Sequence, residues 1–155
     1  MKMLLKLFLL NVIPVFFSIS NGFGQPRQTI APPEYGGNNN PPPHIYFCNY
    51  IDSTGYLEGQ NSLFILEKDN NEITVYVSTA FPCLTKHVYY NIYRIDSRGN
   101  KTFEKSVEME TESDWRWFSK EIAFNEAGTY NVLVKDEDNY PIVSGVVKIS
   151  FSKMN

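Results

Sequence analysis

The stretch Ile122-Ala123-Phe124-Asn125-Glu126-Ala127-Gly128-Thr129-Tyr130-Asn131-Val132 decides how this chain folds. Apolar side chains alternate through Ile122 and Phe124, stop at the small and polar residues 125–128, and resume at Tyr130 and Val132. Alternation with a period of two reads as a half-buried β-strand, and a small, polar break between two such runs reads as a turn. Gly128, lacking a Cβ, is expected to let the chain turn tightly. Two strands of a β domain therefore meet here, over residues 115–124 and 129–135.

The same pattern extends outward in both directions. Short β-type runs recur over residues 44–50, 63–68, 73–79, 87–95, 102–110 and 142–151, with turn residues between them at about the spacing of a sandwich or barrel. Asp69-Asn70-Asn71-Glu72 and Asp96-Ser97-Arg98-Gly99-Asn100 are two of those turns. Ile73, Val75 and Val77 alternate with Thr74, Tyr76 and Ser78, so that strand has one buried face. No run has sustained helical periodicity, and no internal repeat is visible. The expected fold is all-β, a sandwich of about seven to eight antiparallel strands.

With Glu126, Gly128, Tyr130 and Val132 at alternate positions, residues 122–132 resemble the end of strand E and the start of strand F in immunoglobulin-like domains. The resemblance implies a tyrosine corner, in which the Tyr130 ring packs under the turn and its hydroxyl bonds a backbone group upstream. Val132 stands where antibody-type domains carry their second disulfide cysteine, and residues 87–95 hold Tyr89, Tyr90 and Tyr93 but no Trp. The chain thus looks like the disulfide-variable immunoglobulin-like and fibronectin-type modules of exported, bacterial proteins. By analogy, such a module binds or spaces rather than catalyses.

Upstream, Lys2 and Lys6 precede an apolar run over residues 7–17, followed by the small, polar segment 18–24. This is the pattern of a secretory signal peptide, with cleavage expected after Gly24. The run is too short, and too interrupted by Asn11 and Pro14, for the about 20 residues that span a bilayer. No membrane span is expected after cleavage, and the expected location is secreted, periplasmic or cell-surface. Residues 25–43 carry six prolines, Gly36, Gly37 and three consecutive asparagines, and read as an extended spacer ahead of a domain over 44–155. Without Lys2 and Lys6, the chain has twelve basic against seventeen acidic residues, a net −5 with no basic cluster. Nucleic acid and anionic membrane surfaces are poor partners for such a charge.

Cys48 and Cys83 are the only cysteines. Export to an oxidising compartment makes a disulfide between them the expectation, worth about 4 kcal/mol on a chain-entropy argument. Cys83 and His87 stand four apart, but Pro82 and the strand pattern that follows work against a helix that would join them as nucleophile and base.

Trp115 and Trp117, two apart on one strand, share a face on which a sugar or a partner side chain would stack, and Tyr76 extends that platform. The competing reading puts both tryptophans in the core, with a bulge near Phe118 shifting the alternation. Glu108, Glu110 and Glu112 alternate towards Asp114 and read as a solvated edge. Asp136-Glu137-Asp138-Asn139 has oxygen ligands suited to calcium but lacks the spaced acidic loop with its central Gly, so a plain hairpin is preferred. His44 and His87 are the only histidines, and no Cys or His pair has zinc spacing. Nucleophile elbow, zinc-histidine helix, phosphate loop and dinucleotide fingerprint are all missing, so no cofactor is expected. Asn100-Lys101-Thr102 is a formal glycosylation sequon.

The function expected is a non-enzymatic module that binds another macromolecule, a protein or a glycan at the cell envelope, through a strand face, an edge strand or the end loops. Second comes a carbohydrate-binding module using Trp115, Trp117 and Tyr76. Third comes a small hydrolase using a carboxylate pair such as Glu104 and Glu121, or His87.

Overall fold

Every β-type run in the sequence forms a strand in the computed structural model, which describes residues 41–152. In chain order these are β1 (His44–Cys48), β2 (Tyr50–Ile51), β3 (Leu57–Glu58), β4 (Leu63–Leu66), β5 (Glu72–Ser78), β6 (His87–Ile95), β7 (Lys101–Glu110), β8 (Trp117–Ala123), β9 (Gly128–Asp136) and β10 (Pro141–Phe151). The two-residue strands β2 and β3 pair only with each other and are too short for alternation to announce them. The expected leader and residues 25–40 of the spacer lie outside the described residues.

The strands form two stacked sheets, β1-β5-β8 and β4-β10-β9-β6-β7. Their inward rows interlock. Phe47, Ile73, Val75, Val77, Phe118 and Ile122 come from the first, and Val88, Tyr90, Ile92, Val132, Val134, Val147 and Ile149 from the second, all buried. Each such side chain contributes about 1.5–3 kcal/mol, which is what holds the sheets face to face. The first strand of the sandwich is split. β1 joins β5 in one sheet, whereas β4 runs parallel to β10 in the other. This order is that of an immunoglobulin-like sandwich, with one correction to the expectation of purely antiparallel strands, the parallel β4–β10 pair.

The tyrosine corner forms between β8 and β9. The Tyr130 hydroxyl donates to Glu126 O at 2.8 Å, and its ring meets Phe124 edge-on at 4.8 Å. Arg94 of β6 closes the corner, donating to the Glu126 carboxylate and, at 2.8 Å, to Ala127 O. Gly128 serves for a different reason than expected. It is not among the described glycines with positive φ, but a Cβ there would stand 3.2 Å from Arg94 Nε and 3.4 Å from the Tyr130 ring. Its role is to leave room for the clamp.

Three tight turns are built alike. In each, an Asp carboxylate accepts the N–H groups two and four residues on, from Asp52 to Thr54 and Tyr56, from Asp96 to Arg98 and Asn100, and from Asp136 to Asp138 and Tyr140. The third residue after each Asp has positive φ, at Gly55, Gly99 and Asn139. Such Asx turns need a short carboxylate and a residue tolerant of the left-handed region. The hydrogen bonds hold the Asp52 and Asp96 carboxyls below their ordinary range. Asp136 is thus a hairpin residue.

The expected disulfide does not form. Cys48 and Cys83 are free thiols. Cys48 lies opposite Thr74 on β5, whereas Cys83 lies past the far end of that strand, where its N–H donates to Trp115 O at 2.8 Å. Four residues of strand, about 13 Å, separate Thr74 from Ser78, and a disulfide needs Cα atoms within about 7 Å. Burial pushes the Cys48 thiol up to about 11, which makes it a small core residue rather than a reactive group.

On the far side the sheets touch through Gly145 of β10. A Cβ there would come within 2.6 Å of Ile45 Cγ2 and 3.0 Å of the Phe47 ring. Gly145→Val should therefore lower stability by about 2 kcal/mol through overpacking, seen as a lower urea midpoint at unchanged slope. Tyr130→Phe, which removes only the corner hydrogen bond, should lower it by about 1 kcal/mol in the same titration.

Candidate functional site

In the three-stranded sheet, alternation turns Ile45 and Phe47, Val75 and Val77, and Phe118 inward. Turned outward are His44 and Tyr46 on β1, Thr74, Tyr76 and Ser78 on β5, and Trp117, Ser119 and Glu121 on β8. The register places Tyr46 opposite Tyr76 and Ser78 opposite Trp117. Trp117 thus lies diagonally across from Tyr76, within reach for large rings. Their centroids are 5.6 Å apart with planes at 27°, a stacked pair. Tyr46 lies 6.2 Å beyond Tyr76, and His44 lies 6.1 Å beyond Tyr46. A continuous aromatic row therefore crosses all three strands. Aromatic contacts of this kind add about 0.5–1.5 kcal/mol each beyond area burial.

Beside the Tyr46–Tyr76 pair lie Cys48 and Thr74, both buried, with the Cys48 thiol 3.7 Å from Thr74 O and the Thr74 hydroxyl donating to Asn49 O at 3.3 Å. Tyr46, Tyr76 and Trp117 are half-buried, and His44 is exposed. Burial, and then the neighbouring Tyr46, push the Tyr76 phenol up to about 12, so at neutral pH it presents a neutral hydroxyl.

Of the three residues the sequence nominated, the structure brings two together. Tyr76 stacks on Trp117, but Trp115 lies before β8 begins and packs against the core. Alternation fails between the tryptophans for a local reason. The Trp115 carbonyl accepts from Cys83 and the Arg116 carbonyl from Thr79, so consecutive carbonyls bond one loop. Trp115 thus packs on the core, while Trp117 lies on the outward face of β8. Sequence reasoning missed Tyr46 and His44. Their alternate spacing on β1 was a signal, but only register shows that they meet Tyr76.

The other candidates are dispersed. The Cys83 thiol points at main-chain carbonyls, those of Glu112 at 3.3 Å and Thr85 at 3.8 Å. His87 Nδ1 lies 2.9 Å from Glu108 Oε1 on β7 without hydrogen-bond alignment. Glu108 and Glu110 are exposed on β7, an edge strand, and Glu112 is exposed just beyond it. Glu104 faces Arg94 at 3.9 Å in the five-stranded sheet, whereas Glu121 belongs to the outward row of β8. Among the described residues no three His, Cys, Asp or Glu side chains converge as a metal site.

No protein-family model matches the chain, and no curated protein matches it. Among solved structures, it is similar to an immunoglobulin-like protein of Pseudomonas aeruginosa, with 8% identity and a TM-score of 0.46 over 68% of this chain and 91% of that one. The fold assignment rests on strand order and the tyrosine corner, not on that likeness.

The raised Tyr76 phenol gives the site a pH dependence. Because burial disfavours the charged form, the contribution of Tyr76 to stability is full below pH 10, the ordinary tyrosine value, and falls as pH rises towards about 12. Ultraviolet difference titration should show one phenol fewer ionising towards pH 12 in Tyr76→Phe than in the parent chain. The loss of stability above pH 10 should be smaller in that variant.

Proposed function

We propose that this chain is an exported, non-enzymatic immunoglobulin-like module that binds a protein at the cell envelope through the outward face of β1, β5 and β8. The observation that carries this reading is the aromatic row Trp117, Tyr76, Tyr46, His44 on a sheet face that the second sheet does not cover. Protein recognition concentrates on such rings, which supply large contact areas at low entropic cost. Stacking between Tyr76 and Trp117 turns part of each ring face towards the other. That geometry suits a protein surface better than a sugar ring, which needs an open ring face. Export is supported by the leader pattern of residues 1–24, and the disulfide-variable modules of exported bacterial proteins remain the nearest sequence analogy.

The test is crosslinking of the tagged mature chain in its native envelope, with mass spectrometry of what co-purifies. Tyr76→Ala with Trp117→Ala should reduce capture of the principal partner at least tenfold while circular dichroism keeps the β spectrum. A partner captured equally by the double variant would overturn the proposed face. Recovery of the chain alone, with tryptophan fluorescence that shifts on adding a soluble glycan, would replace it by the carbohydrate reading.

A further inference from the structure

We infer that the groove between β1 and β10 is a second binding site, one that takes an extended polypeptide segment of a partner by main-chain hydrogen bonding. It is a depression of about 500 Å³ lined along one wall by residues 43–47, along the other by residues 143–146, and closed at one end by Gln60, Asn61 and Ser62. Ile45 and Phe47 packing on Gly145 form its floor.

Both walls are strand edges with unpaired main chain. Among the described residues β1 pairs with β5 alone, and β4 pairs with β10 only along Lys148–Phe151. Which residues point into the groove follows from parity, because the N–H and C=O of one strand residue point to the same side. The Phe47 carbonyl accepts from Asn61 N–H at 3.0 Å, away from β5, so the main chain of Ile45 also faces the groove. Lys148 N–H donates to Ser62 O at 2.8 Å, away from β9, so Ser144 and Val146 present their N–H and C=O groups on that same side. Ser62 does not reach back to Val146, because its own N–H is taken by Asn61 Oδ1 at 2.8 Å.

The occupant is set by these groups. Regularly alternating N–H donors and C=O acceptors along a strand edge are complementary to another strand, whose backbone repeats at the same interval. The wall of residues 43–47 is about 17 Å long at 3.4 Å per residue, room for about five residues of extended chain. The floor is already filled by Ile45 and Phe47, so the side chains turned down must be small. Sequence preference is therefore weak and main-chain dependence strong. The groove shares β1 with the aromatic face but binds through the open main-chain edge of that strand and of β10, not through the outward rings.

A phage-displayed library of random heptapeptides should be selected against the mature chain, and the retained sequences remade as synthetic peptides. Binding should shift the amide resonances of Ile45, Ser144 and Val146. N-methylation of alternate peptide amides should weaken it at least tenfold, whereas methylating the intervening amides should not. Val146→Pro, which removes an N–H from the open edge and none from the β9 ladder, should weaken binding to the same degree. The inference is overturned if no peptide is retained, if methylation has no alternating effect, or if the shifts gather at Tyr76 and Trp117, which would favour the aromatic face instead. It is also overturned if the Ser144 and Val146 amides already exchange slowly in the free mature protein, because a second copy or other residues of the chain would then fill the groove.

Discussion

The hydroxyl of Tyr130 bonded to the Glu126 carbonyl is the constraint on which the rest of the sandwich depends. It sits where the chain leaves β8 in one sheet and enters β9 in the other, and so fixes the angle and phase of that crossing. β9 can then pair along its length with β6 on one side and β10 on the other, becoming the central strand of the five. The strand that enters this corner, β8, pairs with β5 in the register that puts Trp117 opposite Ser78 and diagonal to Tyr76, and it ends at Ala123, just ahead of the corner. Arg94 reinforces it through a carboxylate and a carbonyl, and Gly128 makes the space.

The strands were legible because each sandwich strand except the edge strand β7 buries one face, so apolar residues must recur at every second position. β7 is exposed at most positions and was read from its β-type residues and flanking turn. The corner was legible because it needs a particular residue at each of several alternate positions. Legibility ended where a long-range or local main-chain bond decided the outcome. Trp115 and Trp117 have strand spacing, yet two consecutive carbonyls captured by residues 79–83 delay the start of β8 by two residues and send Trp115 to the core. Cys48 and Cys83 looked like a pair because only two cysteines exist, but the register of β1 on β5 puts them at opposite ends of a strand. Compartment chemistry says whether thiols are oxidised, not whether they meet.

The aromatic row divides along the same line. Tyr76 and Trp117 could be nominated one by one from their strands. That Tyr46 and His44 complete the row depends on β1 pairing antiparallel to β5 in one register out of several, and a shift by one residue would turn His44 and Tyr46 into the core and expose Ile45 and Phe47. The burial of Phe47 against Gly145 excludes that shift. Core packing on the inward side thus selects which rings meet on the outward side.

The groove between β1 and β10 had no sequence signal at all, because it is made of backbone. Its length depends on where β4 begins, and Asn61 settles that point. Its N–H is turned to Phe47 O on β1, while its side-chain oxygen accepts from Ser62 at 2.8 Å and Leu63 at 3.2 Å. These bonds hold the chain in a bend instead of a strand, so pairing with β10 starts only at Leu63 opposite Lys148. Had residue 61 been a β-branched aliphatic without a side-chain acceptor, the physical preference would have been to extend β4 along Val146 and Ser144 and close the edge. The open stretch of β10 is therefore a consequence of one asparagine satisfying its neighbours' amides locally, and through it a turn residue controls whether this side of the sandwich can accept another strand.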